Sequence, residues 1–170
     1  MSAKKIVFEQ SYTATLDEVW ELWTTADGIE AWWGPEGFST KIKKLEVKSG
    51  GAIHYAMTAV APEMVQFMKQ AGMPTTTETK GHFSEVTPKT RLVLVQVMDF
   101  VPGVAPYDIA SVLELSTKGK TVKMKVTVDA AHNEEWTTRS KMGWESQLGR
   151  LSKLLKARAA KRKGSERRAD

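Results

Sequence analysis

The chain has 170 residues, 41% of them hydrophobic, no cysteine and a formal net charge of +5. That charge is uneven: residues 150–170 hold nine Lys or Arg against two acids, whereas residues 1–149 hold 16 basic against 18 acidic side chains. Disulfides, thiolate metal ligation and cysteine nucleophiles are therefore excluded, and so is a broad basic nucleic-acid face on the near-neutral body.

Residues 4–13 read as a strand rich in Ile, Val, Phe and Tyr. Thr15 with Glu18 forms a reciprocal capping pattern for a helix over Leu16–Thr25, whose Leu16, Val19, Trp20 and Trp23 recur at helical spacing. A second short helix runs through Ile29 and Trp32 and stops at Gly34-Pro35, because the residue before proline avoids the helical region. Six strands are predicted next, at about 38–47, 51–58, 77–86, 90–100, 108–116 and 120–128, separated by turns such as Ser49-Gly50-Gly51 and Lys118-Gly119-Lys120. Ala61–Pro74 interrupts them and is predicted to insert a short helix near 61–72, stopped by Gly72. A long helix closes the chain from about Asn133 to about Ala160, with an inward stripe of Trp136, Ser140, Gly143, Trp144, Gln147, Leu148, Leu151, Leu154 and Leu155.

The expected class is α+β: a curved seven-stranded antiparallel sheet covered by the long C-terminal helix. One domain over 1–160 is expected, followed by a basic, frayed tail over 161–170. No apolar run has the roughly 18 residues needed to span a bilayer, and the start lacks a signal-peptide core, so a cytoplasmic location without membrane insertion is expected.

Val19-Trp20-Glu21-Leu22-Trp23 followed by Trp32-Trp33-Gly34-Pro35-Glu36-Gly37-Phe38 resembles the opening of the AHSA1-like branch (activator of Hsp90 ATPase homologue-like) of the START-like, or SRPBCC, superfamily. The Gly50-Gly51 turn, Gly81 with Glu85-Val86, Pro88 with Leu92, and Gly143-Trp144-Glu145 with Leu148, Leu151 and Leu154 fall in register with that family, and the likeness spans about 5–158. The resemblance implies a helix-grip (Bet v 1-like) fold around an internal cavity, in a superfamily whose members bind mostly apolar molecules and include some enzymes. The co-chaperone for which the branch is named carries a further domain, so the name is expected to be a poor guide to activity here. The stretch Ala61–Pro74 is longer than the family's usual loop, and either a lid or a pairing surface is open to it.

Alternation places Tyr55 and Met57, then Phe83, then Gln96 and Met98 on the inner face, opposite Trp136, Ser140, Gly143, Trp144 and Gln147. These ten are the ligand-cavity candidates. The small and polar members of the helix stripe point to a cavity, unless Gln147 finds a protein partner and Gly143 simply permits close packing. Trp32, Trp33, Gly34, Pro35, Gly50 and Gly51 read as scaffold, with Trp20 and Trp23 also in the core. His54, His82 and His132 lack ligand spacing, so no metal and no cofactor are expected. Asp99, Asp108 and Glu145 read as surface acids, and no catalytic residue is assigned. The tail is expected to be a solvated terminus; nothing in it is specific for nucleic acid.

Three functions stay open. The leading one is binding of a small apolar or amphipathic molecule between sheet and helix. The others are a cavity-based cyclase, isomerase or hydrolase, and a protein-interaction module of the chaperone-regulating kind. A homodimer is compatible with the sequence, although no device specifying one was identified.

Overall fold

The computed structural model describes residues 4–99 and 101–169, with side chains through Gly164. In chain order the elements are β1 (Lys5–Thr13), α1 (Leu16–Thr24), α2 (Ala26–Trp32), β2 (Phe38–Leu45), β3 (Ala52–Ala59), α3 (Pro62–Gln70), β4 (Thr76–Thr87), β5 (Arg91–Met98), β6 (Tyr107–Lys118), β7 (Thr121–Asp129) and α4 (Glu134–Ala169). The strands form one seven-stranded antiparallel sheet in the order β1-β7-β6-β5-β4-β3-β2, the helix-grip architecture expected.

Local chemistry accounts for most boundaries. Thr15 caps α1 by accepting the Glu18 N–H at 3.1 Å. The reciprocal half of the box is not made, because one Glu18 carboxylate oxygen instead meets Arg162 at 2.8 Å. Thr25 caps α2 through the Gly28 N–H at 3.0 Å, and Asn133 caps α4 through the Trp136 N–H at 2.8 Å. In β7, Val122, Met124, Val126 and Val128 are buried while Thr121 and Lys123 are exposed, as alternation requires. Gly50 turns at φ +83°, and a Cβ on Gly51 would lie 1.9 Å from the Glu46 carbonyl oxygen, so the Gly50-Gly51 pair is steric in origin.

The expected end of the last helix needs correcting. The last helix does not stop near Ala160 but continues to Ala169. Arg162 donates to the Thr13 carbonyl at 3.1 Å and, with Arg158, sits on Glu18, which fastens this part of the helix to the body. The presumed break between body and tail is thus crossed by continuous helix. Among the described residues no helix is long and apolar enough to cross a membrane.

Candidate functional site

The inner face divides into a packed plug and a half-open rim. The plug forms where α1 and α2 turn their tryptophans under the sheet and α4 lays Trp144 against them. Trp23 and Trp32 lie 4.7 Å apart between ring centroids, Trp33 and Trp144 5.4 Å, and Trp33 and Tyr55 6.1 Å. Trp32 is fully buried, with its indole N–H donated to the Leu22 carbonyl at 2.7 Å. Phe83, Leu92 and Leu94 close the sheet side.

The turn after α2 is held from the helix. The Gly34 N–H donates to Gln147 Oε1 at 3.0 Å, and Arg150 Nη1 lies 2.9 Å from the Gly34 carbonyl and 3.2 Å from that of Phe38. Thr40 donates to the Trp33 carbonyl at 2.8 Å. Gly34 itself turns at φ +97°, a conformation its partner-bound backbone requires and a side chain would disfavour.

The deep end of the inner face is packed rather than hollow. The void bordered by Trp23, Ile29, Trp33, Ile53, Phe83, Leu92 and Leu94 measures only about 10 Å³, room for one water at most. The physical reason is volume: the indoles of α1, α2 and α4 fill the space that a curved sheet would otherwise leave. Of the ten cavity candidates, Tyr55, Phe83, Trp144 and Gln147 belong to this plug and are buried.

Met57, Gln96, Met98, Trp136, Ser140 and Gly143 remain half-exposed. Three of them, Gln96, Met98 and Trp136, take part in contacts among polar and aromatic groups. Gln96 Nε2 donates to the Tyr55 hydroxyl. Two residues along the same face is Met98, whose sulfur lies 3.0 Å from the Tyr107 hydroxyl. That hydroxyl also lies 2.7 Å from His132 Nδ1 and accepts the His132 backbone N–H at 3.2 Å. The single phenolic proton can serve only one of these two acceptors at a time. The His132 ring lies 5.9 Å from Trp136, and the Arg139 guanidinium covers Trp136 at 4.9 Å. Gly143 does not serve close packing: apart from its chain neighbours and its own helix backbone, no atom lies within 4 Å of where its side chain would begin.

Tyr107 was missed by the sequence reading. Its signal was its phase, two residues before inward Ile109 and four before inward Ser111. His54 and His82 do not face one another; they pair in register with Lys80 and Ala52. Asp99, Asp108 and Glu145 are exposed, and among the described residues no three His, Asp or Glu side chains gather as a metal site.

Burial pushes the Tyr55 phenol above its ordinary range, offset only in part by Trp33, Thr79 and Gln96; burial likewise raises Tyr12 against its bond to Ser152. A raised folded-state value means that this stability is fully present below the unfolded phenol value of about 10 and is lost as pH rises through the folded one. Alkaline titration should therefore show tyrosinate absorbance from these two residues appearing together with loss of near-ultraviolet circular dichroism. Their ionisation in a fully folded protein would contradict the placement.

A family model described as "Activator of Hsp90 ATPase homolog 1-like protein" matches residues 13–156. No curated protein matches the sequence significantly. Among solved structures, a Chromobacterium violaceum protein superposes with TM-score 0.71 at 18% identity, covering 89% of this chain and 96% of its own. An AHSA1-like protein from Aeromonas hydrophila gives 0.70 at 18% identity over 92% and 94%. The AHSA1 protein of Silicibacter pomeroyi gives 0.72 at 14% identity over 91% and 99%. At these identities the structures speak for the fold.

Proposed function

We propose, from the premise that this chain belongs to the Activator of Hsp90 ATPase homolog 1-like (AHSA1) family, that it binds a small amphipathic molecule at the rim rather than deep inside. The observation that carries this reading is the division of the inner face. Its deep end is filled to a residual 10 Å³, while Met57, Gln96, Met98, Trp136, Ser140 and Gly143 stay half-exposed. Methionines and an indole supply apolar contact that adapts to shape. Gln96, Tyr107 and Arg139 supply polar and cationic groups that would orient a polar end.

The reading is tested with anilinonaphthalene sulfonate as a fluorescent probe, together with native mass spectrometry of freshly purified protein. Wild-type protein is expected to take up the probe. Gly143→Leu, which places a side chain in open space, is expected to weaken uptake about tenfold or more while leaving stability unchanged or raised by up to about 1 kcal/mol, since glycine is a poor helix former. Uptake unchanged by Gly143→Leu, or absent from wild type, would remove the rim as the site.

A second reading rests on a different surface. Val60 and Phe67 are each 56% exposed, at the end of β3 and on α3. These exposed apolar residues, one just before the inserted helix and one on it, suit an interaction module of the kind that the family description suggests.

A further inference from the structure

The sheet has two free edges, β1 and β2, and they are built differently. β2 carries a bulge between Ile42 and Lys44, and it projects three lysines, Lys41, Lys43 and Lys44, that pair with Glu30, Glu78 and Glu46; a bulge and edge lysines both blunt a strand against further pairing. β1 is regular over nine residues and pairs with β7 without a register shift. Its sequence, Lys5-Ile6-Val7-Phe8-Glu9, balances one positive charge with one negative.

The phase of β1 can be read from its ends. The Ala130 N–H donates to the Lys4 carbonyl at 3.1 Å, so even-numbered residues of β1 direct their backbone groups to β7. Odd-numbered residues direct theirs outward, and the Thr13 carbonyl does so, reaching Arg162 at 3.1 Å. The outward groups of Lys5, Val7, Glu9 and Ser11 therefore form the edge. Beside it an open groove of about 400 Å³ runs between Val7–Gln10 of β1 and Glu145, Leu148, Gly149 and Ser152 of α4. Apart from its chain neighbours and its own helix backbone, no atom lies within 4 Å of where a Gly149 side chain would begin.

We infer that β1 is a self-pairing edge, and that a second copy of this chain adds its own β1 antiparallel to it about a two-fold axis at Val7. This register places outward residues opposite outward residues, as an antiparallel ladder demands. Lys5, which also pairs with Asp129 of its own chain, then faces Glu9 of the second copy, and Glu9 faces its Lys5. Val7, 51% exposed in the single chain, meets its own counterpart. On the other face Ile6 meets Phe8, and the groove leaves room for that contact. Moving the two-fold axis to Glu9, a four-residue slip of one strand along the other, would instead set Glu9 against Glu9, and like charges directly opposite are destabilising. The family match begins at residue 13, so this edge lies outside what family membership describes.

Sedimentation velocity across the micromolar range is expected to show a dimer of the full chain. Val7→Pro removes an outward N–H while sparing the β7 ladder, and should give monomer. Glu9→Lys should weaken association about tenfold or more at low salt, and adding Lys5→Glu to it should restore the dimer. Because the chain has no cysteine, Val7→Cys should cross-link under mild oxidation; the ~5.5 Å Cα separation of a hydrogen-bonded pair falls within disulfide reach. A monomeric wild type overturns the inference. So does a dimer that persists in both Glu9→Lys and Val7→Pro, or a Val7→Cys protein that cross-links no faster than Ser49→Cys. Circular dichroism verifies that each variant folds, and if Val7→Pro does not, the charge-reversal pair decides.

Discussion

Trp32→Ala is expected to destabilise the protein by about 4 kcal/mol, within the roughly 3–5 kcal/mol usual for deleting a buried large aromatic side chain. Trp32 is fully buried and sits at the junction of α1, α2 and the sheet, with ring contacts to both Trp23 and Trp33. Truncation opens a cavity among rigid rings that cannot collapse into it. It also strips the Leu22 carbonyl of the indole N–H that it accepts at 2.7 Å. Trp32→Phe separates the two effects: it keeps most of the ring and loses the hydrogen bond, and should cost about 1–3 kcal/mol. Urea unfolding followed by circular dichroism measures both. Trp32→Ala unfolding within about 1 kcal/mol of wild type would mean that the plug is not the load-carrying core described above.

The second large effect concerns the turn after α2, clamped by two residues of one helix. Gln147→Leu leaves the Gly34 N–H buried without an acceptor, at a cost of about 2 kcal/mol. Arg150→Met withdraws a guanidinium from the carbonyls of Gly34 and Phe38 and should cost a similar ~2 kcal/mol. Because both side chains hold the same few residues, the double variant should lose less than the sum, with a coupling of about 0.5–3 kcal/mol. Ser146 supplies a contrast on the same turn. Its hydroxyl accepts the Glu36 N–H at 2.8 Å where water can replace it, so Ser146→Ala should change stability by no more than about 0.5 kcal/mol. Additive losses for Gln147→Leu and Arg150→Met would show that the two bonds hold the turn independently.

These two residues also show how far the sequence could be read. Gln147 stood out as a polar residue in an apolar helical stripe, and its burial demanded a partner. The partner is 113 residues away in the chain, beyond the reach of any periodicity. Arg150 looked like the first charge of the basic tail, and only the packed turn beneath it reveals a backbone-carbonyl ligand. The phase of β6 marks Tyr107 as inward, but its contact with His132, 25 residues on, depends on where β6 begins relative to α4.

What the sequence determined by itself is the set of elements and their order. Alternation in β7, the helical spacing of Val19 with Trp23, the cap at Thr15 and the Gly50-Gly51 turn are local preferences, each decided within a few residues. They suffice for seven strands, the inserted helix and the closing one, and the Trp-Trp-Gly-Pro turn with the Gly-Trp helix suffices for the family. Tertiary structure alone decided whether the interior is hollow. A hydrophobic pattern states which side chains face inward, but filling depends on their summed volume against the separation of helix and sheet. Here the aromatic rings win and leave about 10 Å³. It also decided where the last helix ends, because Arg158 and Arg162 meet Glu18 in space and carry regular structure past the point where apolar periodicity stops. Finally, it decided which strands are edges, and thus that β1 offers an unblocked ladder while β2 does not; strand order is a long-range property that no local preference encodes.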